Sequence, residues 1–126
     1  HSIGCQTILR YLEKEGGVAG GKKVAGGVVL VAPFTTLSGL GRLELLIARP
    51  WLTTPLPWKT IKKRSKHWTA IFSSNDRWVP LSNVPVFKKN VGATIIIHKN
   101  KGHLTGDDGI RTFPAVKKEI LIWARK

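Results

Sequence analysis

Apolar residues recur along this chain in two rhythms, and the alternation between them predicts its elements. Ile8, Leu9, Tyr11 and Leu12 fall at helical spacing and lead into Glu13, Lys14 and Glu15. The pattern predicts a helix over 3–15, stopped by Gly16 and Gly17. A glycine-rich connector is expected from 16 to 27. Residues 28–32 (Val-Val-Leu-Val-Ala) are a short, continuous apolar run ending at Pro33. Such a run suits a parallel strand covered on both faces.

Residues 40–48 fit a short helix. Pro50, Pro55 and Pro57, interleaved with Trp51 and Trp58, are then expected to break regular structure. Residues 58–66 read as a basic helix, and 69–73 as a second buried strand. Residues 82–90 suit a helix with Pro85 near its start. The β-branched run 93–97 predicts a third strand. Val116, Ile120, Leu121 and Trp123 place a last helix over 114–125, with Pro114 in its first turn. Helices alternating with buried strands imply an α/β fold. The expectation is a parallel sheet with right-handed crossovers, flanked by helices in a Rossmann-like three-layer arrangement. No repeat or internal boundary divides 1–126, so one domain is expected.

Composition narrows the function classes. An apolar content of 42% is enough for a buried core. No apolar run approaches the roughly 18 residues of a membrane span, so no membrane association is expected. The single cysteine, Cys5, excludes an intrachain disulfide and a multi-cysteine metal site. It fits a reducing, cytoplasmic setting, and Cys5 itself reads as a buried structural thiol. The chain contains no Met and opens inside a tight motif. It is therefore expected to be the C-terminal part of a longer domain, with the first strands upstream. The net charge of +14 is densest at Lys59, Lys62, Lys63, Arg64 and Lys66. Such a balance can attract nucleic acid. Without an RNP motif, zinc-finger spacing or helix-turn-helix pattern, a solvated helix face is the favoured reading.

Reactive groups in an open parallel sheet gather at the carboxyl ends of the strands. Three candidates fall there. Ser2, in His1-Ser2-Ile3-Gly4, matches most of a G-x-S-x-G nucleophile elbow. Asp76 follows the second strand in Ser73-Ser74-Asn75-Asp76. His103 follows the third in Lys101-Gly102-His103-Leu104. The order Ser, Asp, His is that of α/β-hydrolases. A serine hydroxyl is a weak nucleophile until a base takes its proton. His103 is the candidate base and Asp76 the group that fixes its tautomer. The backbone N–H of Ile3 is a candidate oxyanion-hole donor. Gly4 is expected to leave room for the sharp turn.

Each residue alone has a plainer explanation. Ser2 is a good helix N-cap, Asp76 a turn residue and His103 a loop histidine. Their order and their placement at three strand ends favour the triad. His67 and His98 lack the Gly-His context, and His1 is expected to point away from the serine. Asp107 and Asp108 read as turn formers. Trp51, Trp58 and Trp78 are candidate pocket residues, although core and cap packing is the simplest reading of the tryptophans.

The motifs together resemble the small serine hydrolases of the retinoblastoma-binding-protein-9 and YdeN type. The resemblance runs through His1-Ser2-Ile3-Gly4-Cys5, then Val29-Leu30-Val31-Ala32-Pro33-Phe34, then Pro57-Trp58-Lys59-Thr60-Ile61-Lys62. It continues through Ser73-Ser74-Asn75-Asp76, Val79-Pro80, Gly102-His103-Leu104, Asp107-Asp108-Gly109 and Phe113-Pro114. An aromatic residue often follows the motif histidine in that family, so Leu104 joins the candidate pocket residues. The resemblance implies a single α/β-hydrolase domain with Ser2, Asp76 and His103 as triad. It implies hydrolysis of an ester-like small-molecule acyl substrate with no metal and no organic cofactor. A weakly catalytic protein-binding module on the same scaffold is the alternative, and a basic nucleic-acid-binding domain the third choice. No protein partner is specified. With the upstream strands and the second oxyanion donor outside the chain, these 126 residues alone are expected to be inactive and poorly stable.

Overall fold

The computed structural model describes residues 1–18 and 23–125. In chain order these form α1 (Ile3–Val18), β1 (Ala25–Val31), α2 (Arg42–Thr53), α3 (Trp58–Lys62), β2 (Ser65–Ser73), α4 (Asn83–Val91), β3 (Thr94–His98), a 3-10 turn (Gly106–Asp108) and α5 (Pro114–Ala124). The strands make one parallel sheet in the order β1-β2-β3. Val29 lies opposite Thr69, and Thr69 opposite Thr94.

Strand side chains alternate between two apolar layers, as a period of two requires. Val28, Leu30, Trp68, Ala70 and Phe72 join Leu9, Leu12, Ile61 and Phe87 in the larger core, so α1, α3 and α4 cover this face. Val31 and Ile71 face the other way and pack with Leu104, Phe113 and Val116, so α5 and the segment before it cover that face. The expected α/β architecture, a parallel sheet between helical layers, is the observed one.

Element ends differ from expectation for local reasons. Helix α1 continues through Gly16 and Gly17 to Val18. Glycine costs a helix only about 1 kcal/mol, and burial of Leu9 and Leu12 anchors this one. Of the expected glycine connector, 19–22 lie outside the described residues. Its last part is already strand, because β1 begins at Ala25. Helix α2 runs through Pro50 to Thr53 rather than ending at Ala48. Pro50 is exposed, so the helical bond it removes from the Leu46 carbonyl is lost where water can replace it. Helix α3 stops at Lys62, and the end of the basic run enters β2, where Ser65 pairs with Ala25. Arg64 is consequently buried, with its carbonyl accepting the amides of Val24 and Ala25. Only part of the basic run is therefore a solvated face. No helix among the described residues is long and apolar enough to cross a membrane.

Candidate active site

The carboxyl ends of β1, β2 and β3 deliver the site. Ser2 precedes α1 and sits in the left-handed region at φ 51°. Its N–H donates to the Val31 carbonyl at 2.8 Å, which ties the helix entry to the end of β1. Ala32 (φ 48°) and Leu104 (φ 59°) adjoin the same site in the same unusual conformation. Non-glycine residues hold this conformation at a cost, and such residues cluster where function demands it. The sharp turn at Ser2 is thus present within the described residues, held from β1.

Asp76 and His103 converge on Ser2. His103 Nε2 lies 2.9 Å from Ser2 Oγ, and His103 Nδ1 lies 2.7 Å from Asp76 Oδ2. A carboxylate only accepts, so Nδ1–H is the donor to Asp76. In the neutral ring, Nε2 is then free to accept the Ser2 hydroxyl. The other Asp76 oxygen accepts the amides of Trp78 at 2.9 Å and Val79 at 3.0 Å. The Asp76 side chain is 1% exposed and the His103 side chain 11%. A buried carboxylate, an imidazole and a hydroxyl linked in this way can draw a proton from the hydroxyl.

Loop contacts hold the two partners. Asn75 Oδ1 accepts the Gly102 amide at 2.8 Å and the Ser73 hydroxyl at 3.0 Å. Ser73 Oγ in turn accepts the Lys101 amide at 3.0 Å. The loop after β2 is thereby laced to the loop after β3, next to His103. Gly102 makes its turn at φ 56°, where a Cβ would also overlap the Asp108 carboxylate. Buried Asn83 performs the equivalent task on the other side. Its Oδ1 accepts the amides of Thr35 and Thr36, and its Nδ2 donates to the Thr36 and Pro80 carbonyls. Sequence reasoning missed both asparagines, because each reads as an ordinary turn or cap residue.

The Ile3 N–H, at the first position of α1, has no acceptor among the described residues. It is therefore available to an oxyanion. A Cβ added at Gly4 would meet nothing within 4 Å among the described residues. The room it makes is not used by them. His1 differs from expectation. Its Nε2–H donates to the His103 carbonyl at 2.8 Å, and the two rings meet edge-to-face at 4.8 Å. Its position before the serine turns it toward the histidine because the turn at Ser2 folds the chain end back over that loop.

Ser2, Ile3 and His103 open on a cleft of about 330 Å³ lined by Phe34, Leu37, Leu40, Glu44, Ile47, Ala48 and Trp78. Of the candidate pocket residues, Trp78 alone belongs to it. Trp51 and Trp58 line a different cleft with Gln6 and Leu56, because both pack toward the larger core. Leu104 is buried with Val31 and Ile71 beneath α5, since its left-handed backbone turns it under the sheet. Sequence spacing predicts the helix α2 but not its role as a wall of this cleft, because Leu43, Leu45, Leu46 and Ile47 are exposed rather than buried. The far end of α2 is held by Arg10, whose guanidinium donates to the Thr54 and Pro55 carbonyls. A larger cleft of about 620 Å³ runs along α5 and contains none of the three reactive residues.

The remaining candidates have structural roles. Cys5 is buried, its thiol donates to the Val31 carbonyl at 3.3 Å, and burial pushes its pKa up. Asp108 caps the 3-10 turn through Thr105, whose hydroxyl and amide hold the carboxyl below its ordinary range. His67 stacks on Trp123, and His98 packs against Phe113.

Comparison with known proteins gives the family and the fold. A protein of Bacillus subtilis (strain 168), named "Putative hydrolase YdeN", is 29% identical over 116 residues, covering 92% of this chain and 57% of its own length. The crystal structure of the ydeN gene product from B. subtilis superposes with a TM-score of 0.82 at 25% identity, covering 100% of this chain and 63% of that one. The chain thus spans less than two thirds of the length of each. The family model described as serine hydrolase matches residues 1–121. With nearly its whole length covered by that match, the chain belongs to the serine hydrolase family.

Proposed function

We propose that this hydrolase acts on ester-like acyl substrates through Ser2, His103 and Asp76. The observation that carries the reading is the hydrogen-bonded series Asp76–His103–Ser2 opening on an apolar cleft. Ser2 Oγ adds to the acyl carbonyl while His103 Nε2 takes the hydroxyl proton. Asp76 keeps the Nδ1 proton in place and stabilises the imidazolium. The carbonyl electrons move to oxygen, which the free Ile3 N–H meets. Collapse breaks the bond to the leaving group, and His103 returns its proton to that group. Water then repeats the sequence, with His103 as base, and releases the carboxylic acid and Ser2. No group outside this set is needed to balance the steps.

Phe34, Leu37, Leu40, Ile47 and Ala48 suit an apolar acyl chain. The described residues contribute one oxyanion donor, and losing a donor typically costs roughly 2.7–4 kcal/mol in the transition state. The 126 residues alone are therefore expected to turn over poorly. The lone, buried Cys5 supports a cytoplasmic setting as part of the same reading.

A fluorophosphonate probe tests the assignment. The full-length protein should be labelled at Ser2, and both labelling and p-nitrophenyl ester turnover should vanish in Ser2→Ala and His103→Ala. Equal labelling of Ser2→Ala would sink it.

A further inference from the structure

His103 and Trp78 line both of two clefts, one almost wholly apolar and one of mixed lining that is richer in polar side chains. The apolar one, of about 330 Å³, contains Ser2 and Ile3. The second, of about 470 Å³, contains neither and is lined by Asn75, Arg77, Thr105, Asp107 and Asp108 as well as Gly102. Mechanism tells the two apart. A histidine that takes the serine proton must hand it to the leaving group, so that group departs along the His103 side. The acyl chain then occupies the cleft that holds the nucleophile and the oxyanion donor.

We propose that the second cleft is the leaving-group subsite and that it selects a polar, hydroxyl-bearing alcohol over an alkyl one. This deepens the acyl-hydrolase reading and rests on it. The polar groups facing that cleft are largely uncommitted. Arg77 lies over the Trp78 ring, 4.0 Å from its centroid, and forms no ion pair among the described residues. Asn75 spends its Oδ1 on Gly102 and Ser73, which leaves its Nδ2 donors without a partner among the described residues. The Asp107 carboxylate likewise has no hydrogen-bond or ion-pair partner among them. Donors from Asn75 and Arg77 and an acceptor at Asp107 thus share one cleft without neutralising each other. A polyol can satisfy both senses at once, because each hydroxyl donates and accepts. An alkyl alcohol satisfies neither and displaces water from these groups without return. Trp78, edge-on to His103 at 5.0 Å, separates this polar side from the apolar one.

A matched pair of esters tests the subsite, namely glyceryl monobutyrate and propyl butyrate. They share the acyl group and differ by two hydroxyls on the alcohol. The full-length protein should cleave the glyceryl ester with about tenfold higher kcat/KM, the value of roughly two hydrogen bonds. That ratio should fall toward one in Arg77→Ala combined with Asp107→Ala. Circular dichroism checks that the surface variant keeps its fold, and Asp107→Asn offers a second, milder variant in which the ratio should also fall. Turnover of both esters at equal rates overturns the subsite and leaves the hydrolase reading standing, as does a preference that survives the substitutions. Failure to cleave either ester, with no fluorophosphonate labelling of Ser2, overturns both.

Discussion

The Ser2 amide and the Val31 carbonyl are joined across 2.8 Å, and this bond holds Ser2 in its turn. The same carbonyl accepts the Cys5 thiol, so one acceptor at the end of β1 anchors two points of the helix entry. Ser2 keeps φ 51° as a result. A non-glycine residue pays about 1–3 kcal/mol for such a conformation. The side chain at position 2, the nucleophile of the proposed mechanism, is thus opposed by the backbone. Ser2→Gly should therefore resist urea better than Ser2→Ala by about 1 kcal/mol, although both abolish labelling. Equal unfolding free energies for the two variants would show that the turn carries no strain.

Asp76 separates its two tasks between its two oxygens. Oδ1 fixes the loop through Trp78 and Val79, and Oδ2 receives the His103 Nδ1–H. Asp76→Asn can retain the first task, since the amide oxygen still accepts the two backbone N–H groups. Its NH₂ would then face Nδ1 and force the ring into the tautomer protonated on Nε2, which cannot take the Ser2 proton. A fall in kcat of about 10⁴-fold with little change in melting temperature is expected. Turnover within a few-fold of the unsubstituted protein would remove Asp76 from the mechanism.

The legible parts of the sequence were those with a strong local signature. Val28 to Val31 announce a strand because both faces of the sheet are covered there, and Ile95 to Ile97 because the run is β-branched, although Ile97 is exposed. Ser2, Asp76 and His103 were legible because each sits beside turn chemistry at a strand end. The apolar cleft at Ser2 was not, because one wall is made by Ile47 and Ala48 on a helix with Leu43, Leu45, Leu46 and Ile47 exposed, so burial periodicity carries no message there. Trp51 and Trp58 follow the simpler of their two readings, core packing, and stay outside the cleft at Ser2. Large aromatics signal pockets and cores alike, and these two pack toward the core. Asn75 and Asn83 act through contacts 27 and 48 residues away in the chain, which no local pattern encodes.

Burial of Cys5 gives stability a pH dependence with a defined sign. Desolvation is the leading cause of its raised pKa, ahead of the opposing hydrogen bond to Val31. The folded thiol therefore keeps its proton above the ordinary value of 9.0, where the unfolded thiol ionises. The contribution is fully present below that value and is lost as pH rises through the folded pKa. Urea unfolding from neutral pH upward should show a steeper decline for the natural protein than for Cys5→Ala. Parallel pH profiles for the two would contradict this, as would rapid alkylation of Cys5 without denaturant.

Gly27 and Gly26 are adjacent in β1 but differ in what they face. A Cβ at Gly27 would overlap the Trp123 ring of α5, which also stacks on His67, whereas a Cβ at Gly26 would meet nothing within 4 Å. Gly27→Ala should therefore push Trp123 off the sheet and cost about 1–3 kcal/mol. Gly26→Ala should stay within about 0.5 kcal/mol of the natural protein. Urea unfolding measures both, and only Gly27→Ala should alter the folded-state tryptophan emission. Comparable losses at the two positions would mean that strand backbone, not the α5 contact, sets the penalty.

Acyl-chain length should be governed from α2. Ala48 lines the apolar cleft beside Ile47 and faces Phe34, Leu37 and Leu40 across it. A phenylalanine at position 48 would occupy space that a longer chain needs and that a short one leaves empty. Each methylene denied burial forfeits about 0.8 kcal/mol, so exclusion of two corresponds to about tenfold in kcat/KM. The octanoyl-to-acetyl preference of p-nitrophenyl esters should accordingly fall about tenfold in Ala48→Phe. The same substitution at Leu56, which lines the separate Trp51 and Trp58 cleft, should leave that preference where it was. A preference moved by Leu56→Phe and not by Ala48→Phe would place the acyl chain in the wrong cleft.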